Sequence, residues 1–197
     1  MEHNEVIDLI ITLIKGAKTK EDCIVSSEVT LQGCNYLLGQ VIRQIRIPLD
    51  HWFVSDGAKT LWEKLTSKNI MEFWYTMPVP CDRANGIELG LYRGGEKKPY
   101  KNQIVKKNGT INYREVFHDE HIVPVVVIVN ELCALKEPTR ENVKRILDKI
   151  YMCKLLKEED RRILHRSNRP SDYRAAIVDS YTPQGITIEN VVTQERL

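Results

Sequence analysis

Four consecutive residues, His118-Asp119-Glu120-His121, combine two imidazoles with two carboxylates. A neutral imidazole can take a proton from water near pH 7, and a carboxylate beside it suits a hard divalent cation. Burying such a run without partners is costly, so the cluster is expected to face a groove or a bound ion. The chemistry it describes is metal-assisted hydrolysis. In a strand Glu120 and His121 point to opposite sides, while at a strand end or bend they can converge. His118 and His121, three apart, share a side only in a helix, which weakens a metallohydrolase built on that pair. A second acid-His pair, Asp50-His51, runs into Trp52-Phe53 and reads as structural.

Ile122-Val123-Pro124 follows directly, so the phrase Glu120-His121-Ile122-Val123-Pro124 is an acid, a His, two apolar residues and Pro. This phrase resembles the opening motif of the HNH, or ββα-metal, nucleases, where it closes a hairpin strand. The resemblance covers about residues 110 to 166. It implies that Glu120 helps hold a divalent metal and that His121 is the general base for the attacking water. The family's Asn is matched by Asn142 in Thr139-Arg140-Glu141-Asn142, where it would orient His121 or its water; Asn130, inside an apolar run, is the rival. The third element, a ligand on the following helix, is matched by Glu159, Asp160 or His165, with Asp160 favoured. The Cys pairs of many members are missing, and Cys153 alone stands near their place.

The activity implied by the resemblance is metal-dependent hydrolysis of phosphodiester bonds in DNA, of a restriction or phage-defence kind. Mg²⁺ is the expected cofactor, with Mn²⁺ or Zn²⁺ as alternatives, and RNA stays open beside DNA as substrate. A homodimer would present two sites to a duplex. The competing reading is a non-catalytic nucleic-acid or protein interaction module that keeps an HNH-like shape. A net charge of only +2 neither demands nor excludes a polyanionic partner, so distribution matters more. Basic residues gather at Arg93, Lys97, Lys98, Lys101, Lys106 and Lys107, and again from Lys144 to Arg169. Within the second group Lys144, Arg145, Arg161 and Arg162 are the expected phosphate contacts, since Lys and Arg carry affinity without reading sequence.

The elements that must position these groups are read from periodicity. Val6, Leu9, Ile10, Leu13 and Ile14 predict a helix over 3–15 that stops near Gly16. The same spacing predicts helices over 34–46, 57–67 with Asp56 as cap, about 139–150, and 157–165. Between Ile70 and Phe117 short apolar runs such as MEFWYTM and IELGLY predict strands, with Gly94-Gly95 and Asn108-Gly109 as turns. Asn-Gly between Gln103–Lys107 and Ile111–Val116 predicts a hairpin that leads into the cluster. The apolar run 122–135 fits a buried strand or a buried helix equally. Trp52, Trp62 and Trp74 read as core.

The expected architecture is α+β: N-terminal helices, then a β-hairpin and a ββα-metal-like unit with C-terminal helices. The 197 residues suit one domain, with 1–69 as helical scaffold, 70–169 as the β-rich and HNH-like part, and 170–197 as a packed tail. Hydrophobic residues at 42% and charged residues at 28% argue against wholesale disorder. Five scattered Cys without a CxxC pair read as reduced thiols. No leader-like start and no apolar stretch near 18 residues is visible, so no membrane partner and a cytoplasmic location are expected.

Overall fold

A computed structural model describes residues 3–21, 27–70, 79–88, 104–106, 108–163 and 169–197. Helices and strands mix, in an α+β arrangement. In chain order the first half holds α1 (His3–Glu21), α2 (Ser27–Arg43), β1 (Trp52–Ser55), α3 (Asp56–Thr66) and α4 (Arg83–Glu88). The second half holds α5 (Tyr113–Val116), β2 (Phe117–His121), α6 (Val125–Ala134), α7 (Arg140–Leu147), β3 (Met152–Leu156), α8 (Lys157–Arg162), α9 (Tyr173–Ser180) and β4 (Ile188–Asn190). Two compact units form, each from separate segments: Met1–His51 with His121–Met152 and His165–Ser180, and Trp52–Glu120 with Cys153–Leu164 and Tyr181–Leu197.

The first unit is helical. Val6, Ile10 and Ile14 of α1 are buried one turn apart, packed in one cluster with Leu38 and Ile42 of α2, Ile128 and Leu132 of α6, and Val143 and Leu147 of α7. Leu9, in the same apolar pattern, is exposed. α1 continues past Gly16 to Glu21, because Gly16 keeps an ordinary helical backbone and a glycine stops a helix only where it turns left-handed. α2 starts at Ser27, earlier than the apolar spacing suggests. The run 122–135 resolves as helix α6, with Val125, Ile128, Val129 and Leu132 buried at the 3.6-residue period and Val126 exposed.

The second unit carries a four-stranded sheet in the order β2-β3-β1-β4. β1 and β4 pair antiparallel, with Phe53 opposite Asn190 and Ser55 opposite Ile188. Beneath the sheet Val54, Ala58, Trp62, Leu65, Ile111, Val116 and Phe117 form the core. Trp62 meets the edges of Phe117 at 5.8 Å and Tyr113 at 6.4 Å. Trp52 and Trp62 are buried as expected, and Trp74 lies outside the described residues. The cap of α3 is Ser55 rather than Asp56, its hydroxyl accepting from Ala58 N at 3.0 Å.

The predicted hairpin is present but short. Gly109 takes the turn at φ 79°, Asn108 Oδ1 accepts from the Thr110 N–H and hydroxyl, and Val105 bridges Ile111 antiparallel. The second arm does not stay extended: Tyr113–Val116 closes a helical turn, so the strand that carries the cluster is β2. Tyr113, Val116 and Phe117 pack into the core at offsets of three and four, a spacing that an extended arm would split between two faces. Ile87-Glu88, expected in a strand, end helix α4, while Met71–Met77, Gly94-Gly95 and the basic residues Arg93, Lys97, Lys98, Lys101 and Lys107 lie outside the described residues. Between α7 and α8, where the sequence pattern assigns no element, the chain forms β3. Among the described residues no helix is long and apolar enough to cross a membrane.

Charge fixes β4 at the sheet edge. Lys59 Nζ lies 3.1 Å from Glu189 Oε1 and Arg196 Nε lies 3.2 Å from Oε2, while Leu197 N donates to Ile188 O at 2.9 Å. Burial opposes ionisation of Glu189, but the hydrogen bonds and positive charges of Lys59 and Arg196 outweigh it and hold its carboxyl below the usual range. A carboxyl depressed in the folded state contributes stability that is present above its unfolded pKa and lost as pH falls through the folded value. Glu189→Gln is therefore expected to unfold at lower urea than the parent at pH 7. The gap should close below about pH 4, the ordinary Glu value; a gap that persists unchanged at pH 2 would rule this ionisation out as its source.

Candidate metal centre

β2 sorts its side chains by the strand period: residues two apart share a face. His118 and Glu120 therefore stand together, with His118 Nε2 3.2 Å from Glu120 Oε2. The first turn of α8 brings Asp160 to the same place, its Oδ1 4.0 Å from His118 Nε2. One donor atom from each residue lies within 4.8 Å of the others. Metal–ligand bonds of roughly 2.0 to 2.6 Å put two donors on opposite sides of one ion about 4 to 5 Å apart, so the set fits a single cation. Glu120 is buried, at 6% exposure, and His118 and Asp160 are half-buried. Two carboxylates and an imidazole in that setting offer hard oxygen donors with one nitrogen, a set that Mg²⁺, Mn²⁺ or Zn²⁺ can use.

The other face of β2 carries an internally balanced group. Tyr113 OH donates to Asp119 Oδ1 at 2.8 Å, and Lys154 Nζ lies 3.5 Å from that oxygen and 4.4 Å from the centre of the Tyr113 ring. Burial pushes the Lys154 ammonium below its usual pKa, and the Asp119 charge and hydrogen bond counter this. Beside it on β3, Cys153 is fully buried. Its thiol is pushed well above the ordinary range by burial, then by the charges of Glu159, Glu120 and Asp119, which keeps it a neutral thiol.

The residues singled out from the sequence separate accordingly. Glu120 and Asp160 come together, joined by His118. Glu159, the alternative to Asp160, is buried, and its Oε2 accepts from both Ser55 Oγ at 2.6 Å and Leu156 N at 2.9 Å, which ties it to the end of β1 and the start of α8. His165 lies outside the described residues. His121 ends β2, and its carbonyl accepts from Arg169 Nη1 at 3.3 Å. Asn142 sits in the first turn of α7, where its N–H donates to Thr139 Oγ1 at 3.2 Å and its Nδ2 to Glu137 O at 3.3 Å. Asn130 is exposed on α6. His51 stacks on Tyr151 at 4.1 Å, with Nδ1 3.1 Å from Ile150 O.

Lys144 and Arg145 are exposed on α7, and Arg161 and Arg162 on α8. Lys154 and Arg169, members of the same basic stretch, are buried and face protein groups, which removes them from any phosphate surface. His118 is the residue the acid-His phrase passes over. Its signal was the two-residue spacing to Glu120 on a strand. Comparison with protein-family models, curated proteins and solved structures finds no match to this chain.

Removing one partner of a buried ion pair leaves the other charge uncompensated. Asp119→Asn is expected to lower unfolding stability by about 3 kcal/mol, the lower end for such a loss, since Asp119 is partly exposed. Asp119→Asn combined with Lys154→Met should recover part of it. Urea denaturation of both variants checks this, and a double variant no more stable than the single one would show that the charge pair is not the origin.

Proposed function

We propose that this chain is a metal-dependent phosphodiesterase acting on DNA, with a divalent cation held by His118, Glu120 and Asp160. The observation that carries the reading is the convergence of those three donors from a strand and a helix start. A bound divalent ion would neutralise charge on the scissile phosphate and make water a stronger acid. The chain's own residues supply the rest. Glu120 and Asp160 provide the negative charge that selects a cation, and the buried position of Glu120 strengthens its pull by limiting competition from water. His121, next in the chain to Glu120, is assigned as the proton acceptor on the HNH resemblance of Glu120-His121-Ile122-Val123-Pro124. Asn142 is assigned on the same resemblance alone.

Exposed Arg161 and Arg162 follow Asp160 directly on α8 and suit contact with backbone phosphates, as do Lys144 and Arg145 on α7. Mg²⁺ is the first candidate ion, and the imidazole donor favours Mn²⁺ or Zn²⁺ as strong competitors. The scattered Cys, with no CxxC pair among them, suit a reducing, cytoplasmic setting. A two-fold dimer would offer one such site to each strand of a duplex.

Thermal unfolding with and without Mn²⁺, paired with nicking of supercoiled plasmid, tests the assignment. Glu120→Gln and Asp160→Asn are each expected to abolish the Mn²⁺-dependent rise in Tm and to reduce nicking on the order of a hundredfold or more. His121→Ala should keep the rise in Tm and lose nicking by roughly 10² to 10⁴, the range for removing a general base. DNA binding by the parent protein with no divalent-dependent cleavage, and no effect of Glu120→Gln on Tm, would replace this reading with that of a binding module. Cleavage of RNA in preference to plasmid would move the substrate class.

A further inference from the structure

We propose that Ser55, Gly57 and Glu159 form a positioning clasp that aims Asp160 into the metal centre; this rests on the metal reading above. The Glu159 carboxylate is buried and held by two donors from different parts of the second unit: Ser55 Oγ at the end of β1 and Leu156 N at the end of β3. Ser55 Oγ also accepts from Ala58 N, so its hydroxyl is oriented, with its hydrogen directed to Glu159. The other carboxylate oxygen, Oε1, lies against Gly57 in the first turn of α3. A Cβ there would collide with Glu159 Oε1 and approach Leu156 Cδ1 to 3.1 Å.

The consequence for the site is geometric. Successive residues on a helix project about 100° apart around its axis. Fixing the direction of Glu159 therefore fixes the rotation of α8, and with it the direction of Asp160, the next residue. Because α8 has only six residues, it has little helix of its own to hold that rotation, and the Leu156 N–H bond fixes where its first turn begins. Asp160 Oδ1 then arrives 4.0 Å from His118 Nε2. Ser55, Gly57 and Glu159 are positioning residues: none of them donates to the three-residue donor set.

Mn²⁺ affinity, measured by electron paramagnetic resonance of the full chain, reads this directly. Partners that orient metal ligands typically change affinity by 10- to 100-fold. Ser55→Ala is expected to weaken Mn²⁺ binding by at least about tenfold and to broaden or shift the bound-ion spectrum. Gly57→Ala is expected to do the same while removing no hydrogen-bonding group and no charge, although Ala is intrinsically the better helix residue. Thr66→Ala serves as the control: it removes a side-chain hydrogen bond to Trp62 O at the far end of the same helix α3, and should leave affinity and spectrum unchanged. Parental affinity in Gly57→Ala, or equal weakening in Thr66→Ala, overturns the clasp. If Ser55→Ala does not fold, Gly57→Ala decides alone. Mn²⁺ uptake by the parent that Glu120→Gln leaves intact overturns the metal reading itself, an outcome distinct from a parent that binds through Glu120 and a Gly57→Ala that binds equally well.

Discussion

Holding the Glu159 carboxylate inside the protein is the constraint on which the second unit is organised. A buried carboxylate is costly unless donors replace the water it loses, and here they come from the side chain that ends β1 and the backbone that ends β3. One hydroxyl, that of Ser55, thereby closes a strand, caps α3 and holds the start of α8. The requirement propagates to the backbone, since the carboxylate occupies the space a side chain at residue 57 would need. β1–α3 and β3–α8 are joined at their turning points by a single acid, and the edge strand β4 is added by a second buried acid, Glu189, between Lys59 and Arg196.

Strand alternation then divides the remaining charge. On one face of β2, Asp119 meets Lys154 and Tyr113 and the group balances itself. On the other, Glu120 joins Asp160 and His118, two carboxylates against one imidazole. Such a surplus is what a divalent cation compensates best, because a small ion satisfies several oxygen donors at once where a lysine would answer one carboxylate.

The sequence made the fold legible where the apolar spacing was long and unambiguous. The helices α1, α3 and α7 follow from positions such as Val6, Ile10 and Ile14, or Val143, Ile146 and Leu147. β3 escaped because Met152-Cys153-Lys154-Leu155 has no alternation, and a lysine between charged helices reads as solvated; only the structure reveals Asp119 as its buried counter-charge. β4, three residues long, is too short for any pattern to emerge. At the site, the phrase beginning at Glu120 drew weight toward His121, although the strand it belongs to pairs Glu120 with His118. The sequence favours Asp160 over Glu159, but both stand in the first turn of α8, and it is the packing against Gly57 and Ser55 that tells them apart.

The same distribution of charge bears on how a polyanion could approach. Lys154 and Arg169 count toward the basic stretch but are spent inside the protein, while Arg161 and Arg162, which follow Asp160 in the chain on α8, are exposed. A phosphate drawn to those guanidiniums also meets the field of Glu120 and Asp160, close by on the same unit. At distances of a few ångströms in a half-buried setting, repulsion between a phosphate and two carboxylates is a matter of several kcal/mol, more than exposed guanidiniums return through water. A cation between them reverses the sign of that interaction. On the metal reading, binding of the ion and binding of the phosphate are therefore one linked equilibrium: each strengthens the other, and the acids that would repel the substrate become the reason it is held.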